Sequence, residues 1–198
     1  MNHQKNKGIY LLPVLWLLTT CSISSGNQKE ARKIDAYFDL AGLMQQQVAY
    51  LSETNPKINK NAVIDGQQEA LEQDSVNWEK ELNIFAKADI NKPRLLSQYR
   101  TNTYTDDAGH RVTQYQNVDK HVSGVIKMEI VEDPASNKLL NIFIESGEYN
   151  TLFTSEVELE MRFEEKKNEP RLTSYSISGF EKVILRDTMR YLVRVKIG

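Results

Sequence analysis

Cysteine is almost missing. Cys21 is the only one in the 198-residue chain, which excludes an internal disulfide framework and any zinc ribbon. A basic excess is missing too. The chain has 25 Lys and Arg against 27 Asp and Glu, a formal net charge of −2, so it has no electrostatic footprint for nucleic acid. The apolar run Ile9–Leu18 has ten residues, about half of the roughly 20 that cross a bilayer as a helix. No Gly-x-Ser-x-Gly, His-Glu-x-x-His, P-loop or dinucleotide fingerprint occurs. Internal repeats and low-complexity tracts are also lacking. What remains is 40% hydrophobic and 26% charged, with a mean hydropathy of −0.53. That is too apolar and too near neutrality for a disordered chain, and long enough for one domain with a real core.

The N-terminus differs in kind from the rest. Lys5 and Lys7 precede the apolar run with no acid among them, the n-region and h-region of a secretory signal. The run ends in Leu18-Thr19-Thr20-Cys21, which resembles a bacterial lipobox. The resemblance implies that residues 1–20 are a lipoprotein signal peptide, that cleavage falls before Cys21, and that Cys21 carries the lipid. Loss of Lys5 and Lys7 with the leader takes the net charge from −2 to −4, so the membrane anchor is acyl and owes nothing to a basic patch. Residues 21–29 read as a polar tether. About eight extended residues reach some 25–30 Å, which keeps the body near the bilayer. Ser22 follows the cysteine and no acidic cluster does; this resembles an outer-membrane address facing the periplasm.

Residues 30–198 are expected to form a single α+β domain. Lys29–Glu53 reads as a helix with Ile34, Phe38, Ala41, Met44, Val48 and Leu51 as its apolar stripe, stopped before Pro56. Asp65-Gly66 is the preferred pair for a tight hairpin within Lys57–Gln73, although Gln67–Glu72 suits a helix equally well. Asp74 or Ser75 is expected to cap a second helix to about Asp89, with Trp78, Leu82, Phe85 and Ala86 or Asp89 as its buried stripe.

From Leu96 the period falls from 3.6 to 2. Strands are expected near Tyr99–Thr105, Arg111–Gln116, Val125–Glu132, Lys138–Glu145, Ser155–Glu164, Arg171–Ser178 and Met189–Ile197. Expected inward faces are Ile126, Met128 and Ile130; Leu140, Ile142 and Ile144; Val157, Leu159, Met161 and Phe163; and Met189, Tyr191, Val193, Val195 and Ile197. Two N-terminal amphipathic helices would then pack on a C-terminal antiparallel β-meander, a curved sheet or half-barrel.

The lipobox, Tyr37-Phe38-Asp39-Leu40, Asp65-Gly66, Asn77-Trp78-Glu79-Lys80-Glu81-Leu82, Ala88-Asp89-Ile90-Asn91-Lys92-Pro93, Tyr149–Phe153 and Ser176–Val183 together resemble a group of uncharacterised small lipoproteins of the Bacteroidota type. The resemblance implies location and fold type, and no activity.

Candidate chemistry is sparse. His110 and His121, with Asp106, Asp107 and Asp119 nearby, read as turn residues and not as a metal site, which needs three or four converging ligands. Asp74-Ser75-Val76 and Asp187-Thr188-Met189 resemble the O-glycosylation acceptor of Bacteroidota, so Ser75 and Thr188 are candidate modification sites. Their structural alternatives are a helix cap and a hairpin turn. Glu156, Glu158 and Glu160, with Arg190, Arg194 and Lys196, are expected to form a solvated charged face with cross-strand pairs, or a docking surface for another envelope component. No catalytic residue, metal or cofactor is expected. The expectation is therefore a non-enzymatic, lipid-anchored envelope domain that binds or supports an envelope protein. The alternative is a periplasmic carrier or chaperone for an apolar ligand or lipid, lined by Val157, Leu159, Met161, Phe163, Ile126 and Met128.

Overall fold

The structure is a computed structural model that describes residues 36–119 and 123–198. Cys21, the expected signal peptide and tether, and His121 lie outside the described residues, as does the first part of the expected Lys29–Glu53 helix. Ile34–Gly198 is one compact unit.

Helix α1 spans Leu40–Thr54 and therefore starts later than its apolar spacing suggests. Asp39 decides the start: its Oδ1 accepts the Gly42 N–H at 3.0 Å and satisfies an otherwise orphaned donor. The helix ends at Asn55, which takes the left-handed conformation and donates to the Leu51 carbonyl. Its buried residues are Leu40, Leu43, Met44, Gln47 and Leu51, so the inward stripe is turned from the expected one, and Val48 is only half-buried.

Strands β1 (Ile58–Ile64) and β2 (Gln67–Gln73) form the hairpin at Asp65-Gly66. Both turn residues have positive φ, 47° and 82°, as a two-residue hairpin turn needs. The second helix is two short ones, α2 (Trp78–Glu81) and α3 (Asn83–Lys87). Asn77, and not Asp74 or Ser75, caps α2 by accepting the Lys80 N–H at 2.9 Å. Trp78, Leu82 and Phe85 are buried as their spacing requires.

A short turn at Pro93–Leu95 leads into β3 (Tyr99–Thr105), β4 (Arg111–Asn117), β5 (Gly124–Glu132), β6 (Leu139–Tyr149), β7 (Phe153–Lys166), β8 (Glu169–Val183) and β9 (Met189–Ile197). All nine strands form one open antiparallel sheet in the order β2-β1-β9-β8-β7-β6-β5-β4-β3. The early hairpin thus extends the meander by pairing β1 with β9, Ile58 opposite Ile197.

The core lies between the helices and one sheet face. It joins Leu40, Met44 and Leu51 of α1 and the buried residues of α2 and α3 to Met128, Ile142, Ile144, Leu159, Met161, Phe163 and Val195. Three register shifts alter which residues point in. One near Ile126 turns Val125 inward and leaves Ile126 half-buried; a second, between Val131 and Glu132, skips Leu140, so that Leu139 packs on the core in its place; the third, opposite Arg162 and Phe163, skips Thr173 in the ladder and puts both Leu172 and Tyr175 inside. Met189, at the start of β9, is exposed and does not share the inward face expected of it.

Candidate functional site

The chemistry converges where the chain crosses from α3 to β3. After α3, Ala88, Asp89 and Ile90 are buried, and the chain then turns at Pro93 and enters β3 at Tyr99. Between this crossing and the inner sheet face lies a cavity of about 440 Å³. Val125, Val157, Leu159, Ile84 and Leu95 give it apolar walls, and Lys87, Lys92 and Arg94 also contribute to its lining. Such a volume falls within the range of small-molecule sites.

Two polar side chains are buried in that lining. Asp89 is 7% exposed and Asn117 is 3% exposed. The Asp89 carboxylate faces the backbone N–H groups of Ala41 and Asn91, yet its Oδ1 has no hydrogen-bond partner. Burial holds its pKa above the ordinary carboxylate value, against those N–H groups and the Lys92 charge. At the end of β4, Asn117 Oδ1 accepts the Asp119 N–H at 2.9 Å, while Nδ2 faces the Tyr99 hydroxyl, which lowers the Tyr99 pKa against its burial, but does not reach hydrogen-bonding geometry with it. Beside it, the Tyr99 hydroxyl donates to the Val125 carbonyl at 2.7 Å, and burial raises the pKa of Tyr99. A buried acceptor and a buried donor without partners are costly unless something supplies the missing bonds.

Neither Asp89 nor Asn117 stands out in the sequence as a site residue. Asp89 falls at the end of a helical stripe and Asn117 at the end of a polar strand, and only the fold brings both to one cavity. Of the six residues expected to line a carrier cavity, Val157 and Leu159 do so. Met128, Met161 and Phe163 are instead packed in the core, and Ile126 sits at the register shift.

The charged face is built differently from its expected form. Strand β8 separates the acids of β7 from the cations of β9, so Glu160 and Arg194 both oppose Ser176 and do not oppose each other. Glu160 pairs with Arg162 on its own strand at 2.8 Å, and Ser178 donates to Glu158 at 3.3 Å. Ser174 and Ser176 lie within a wide depression of about 940 Å³ that Asn59, Asn61, Arg162 and Arg194 line together with apolar residues such as Leu140 and Ile197.

His110 Nδ1 lies 3.2 Å from Asp106 Oδ2, whose Oδ1 accepts the Ala108 and His110 N–H groups of the β3–β4 turn. No group of three or more His, Cys, Asp or Glu residues suited to a metal ion occurs among the described residues. Ser75 is exposed between β2 and α2, and Thr188 is half-buried in the β8–β9 connection. No helix among the described residues is long and apolar enough to cross a membrane. No family model, curated protein or solved structure matches this chain.

Proposed function

We propose that this chain is a lipid-anchored, non-enzymatic cell-envelope domain that carries an apolar or amphipathic ligand in the cavity beneath α3. The lipobox at Leu18–Cys21 motivates the anchor at Cys21 and the periplasmic face of the outer membrane as its location. The observation that carries the ligand reading is the pairing of apolar walls with two buried, unpartnered polar atoms, Asp89 Oδ1 and Asn117 Nδ2. A ligand with an apolar chain and a head that both donates and accepts hydrogen bonds would satisfy each of them. The helices on one face and the register shifts in β5–β6 and β7–β8 support a curved, half-barrel form of the sheet, because such irregularities bend strands.

Native mass spectrometry of the protein purified from its own envelope tests this. An adduct of single-chain amphiphile mass is expected on the parent and lost in Val157→Trp, which fills the cavity. A parent that carries no adduct and takes up no fluorescent fatty acid would refute the reading. A second reading is docking of an envelope protein on the outer face. Its support is the row of serines in β8, flanked by the acids of β7 and the cations of β9.

A further inference from the structure

Strand lengths make one end of the sheet uneven. Gln116, Lys127, Glu145, Glu158 and Ser178 form one cross-strand row. Beyond this row β4 continues for one residue, to Asn117, whereas β7 reaches back five to Phe153 and β8 runs on five to Val183. At about 3.3 Å per residue, the β6–β7 and β8–β9 connections project some 13 Å farther than the end of β4.

The projecting tips are apolar. Leu185 is 99% exposed, Leu152 62% and Ile184 55%. The two connections are tied together, since the Ile184 N–H donates to the Leu152 carbonyl at 2.9 Å. Leu185 has φ 63°, a left-handed conformation that is unfavourable for a bulky side chain. The chain thus accepts a backbone cost to hold a leucine wholly in water. Single exposed apolar residues are ordinary, but a cluster at a projecting end is not. Leu96 and Val118, also exposed, lie at the same end of the sheet.

We infer that this tip inserts into the headgroup region of a lipid bilayer. The shape favours lipid over a folded partner, because narrow, projecting loops fit between headgroups and offer no broad face to a protein. Charge is balanced there: Lys182, Arg186 and Arg190 are accompanied by Glu181, Asp187 and Asp65, and Asp65 Oδ1 is engaged by the Arg190 N–H at 2.8 Å. Binding is therefore driven by apolar burial and changes little with salt. Chain length agrees. Tyr37, beside the start of the described chain, sits at the same end, its ring 5.6 Å from that of Tyr99 and its hydroxyl accepting the Ser97 N–H. Fourteen residues lie between Cys21 and Ala36, a reach of about 50 Å at most. This last point rests on the Cys21 anchor; the exposed tip does not.

The experiment separates the two. Cys21→Ser removes the only cysteine, so Leu185→Cys in that background takes a single environment-sensitive dye, and Tyr104→Cys at the opposite end of the sheet serves as control. Vesicles of phosphatidylethanolamine and phosphatidylglycerol should brighten and blue-shift the dye at residue 185 and leave it unchanged at 104. Leu152→Asp with Ile184→Asp should weaken this response about tenfold or more, with an unchanged far-UV spectrum, and raised salt should not abolish it. Equal responses at both positions, or none at 185, would overturn the tip. So would a dimer on gel filtration that the two aspartates dissolve, since the patch would then be a protein interface. Intact mass of the native protein reports acylation of Cys21 independently.

Discussion

At the scale of the residue, two buried polar side chains play opposite parts. Gln47 is fully buried in α1, yet both ends of its amide are used. Nε2 donates to the Pro170 carbonyl at 3.0 Å, and Oε1 accepts the Leu172 N–H at 3.0 Å. It thereby satisfies β8 backbone next to Thr173, which the ladder skips and whose hydroxyl donates to the Arg162 carbonyl at 3.2 Å, while Arg171 stacks over the Tyr50 ring at 4.0 Å. Gln47→Leu keeps the bulk and leaves both backbone groups unpaired, so it should cost about 1–3 kcal/mol; a denaturation midpoint equal to that of the parent would contradict this. Asp89 is the contrary case, because its ionised form is disfavoured by burial. With its folded pKa above the unfolded one, the native state holds the proton more tightly, and stability falls as pH rises through that interval. Asp89→Asn should therefore match the parent in strong acid and become the more stable of the two as pH rises past the carboxylate range. Thermal melts across pH would show it, and a gap that closed with rising pH would have the wrong sign.

At the scale of the element, the joins between segments matter more than the segments. The β1–β2 hairpin turns on Gly66, at φ 82°, where an added Cβ would meet nothing within 4 Å. Gly66→Val should thus cost about 1–2 kcal/mol through the backbone alone, and an unaltered melting temperature would refute that origin. Helix α2 is tied to the sheet by Glu81, which accepts from Lys60 Nζ at 2.7 Å and from the Tyr175 hydroxyl. Burial first, and then Glu81, push the Tyr175 pKa far above its ordinary value, while its ring packs edge-on against Phe85 at 5.3 Å. The alternation of Val157, Leu159, Met161 and Phe163 with charged residues made β7 readable, and Met189–Ile197 has the boundaries that its alternation indicates. The start of α1 was not readable in this way. A stripe at steps of three and four carries back past Asp39, and only the capping bond to Gly42 ends it there.

At the scale of the molecule, one end of the sheet gathers the features with the most to do. The α3–β3 crossing, the cavity with Asp89 and Asn117, the projecting Leu152 and Leu185, and Tyr37 all lie toward it. A ligand leaving a membrane touched by the tip would have a short path to the cavity, so the proposed carrier role and the proposed lipid contact reinforce each other without depending on each other. The sequence by itself determined the inward face of β7, the Asp65-Gly66 turn, the burial of Trp78, Leu82 and Phe85, and the change from helical to strand period, because each is a local repeat or a local backbone preference. Only the tertiary structure decided that β1 would pair with β9, that Gln47 would be buried, that Asp89 and Asn117 would meet at one cavity, and that the apolar loops would share one end. Those outcomes depend on contacts between segments far apart in the chain, such as Ile58 with Ile197, and no local spacing encodes which distant partner will satisfy a backbone edge or cover a carboxylate.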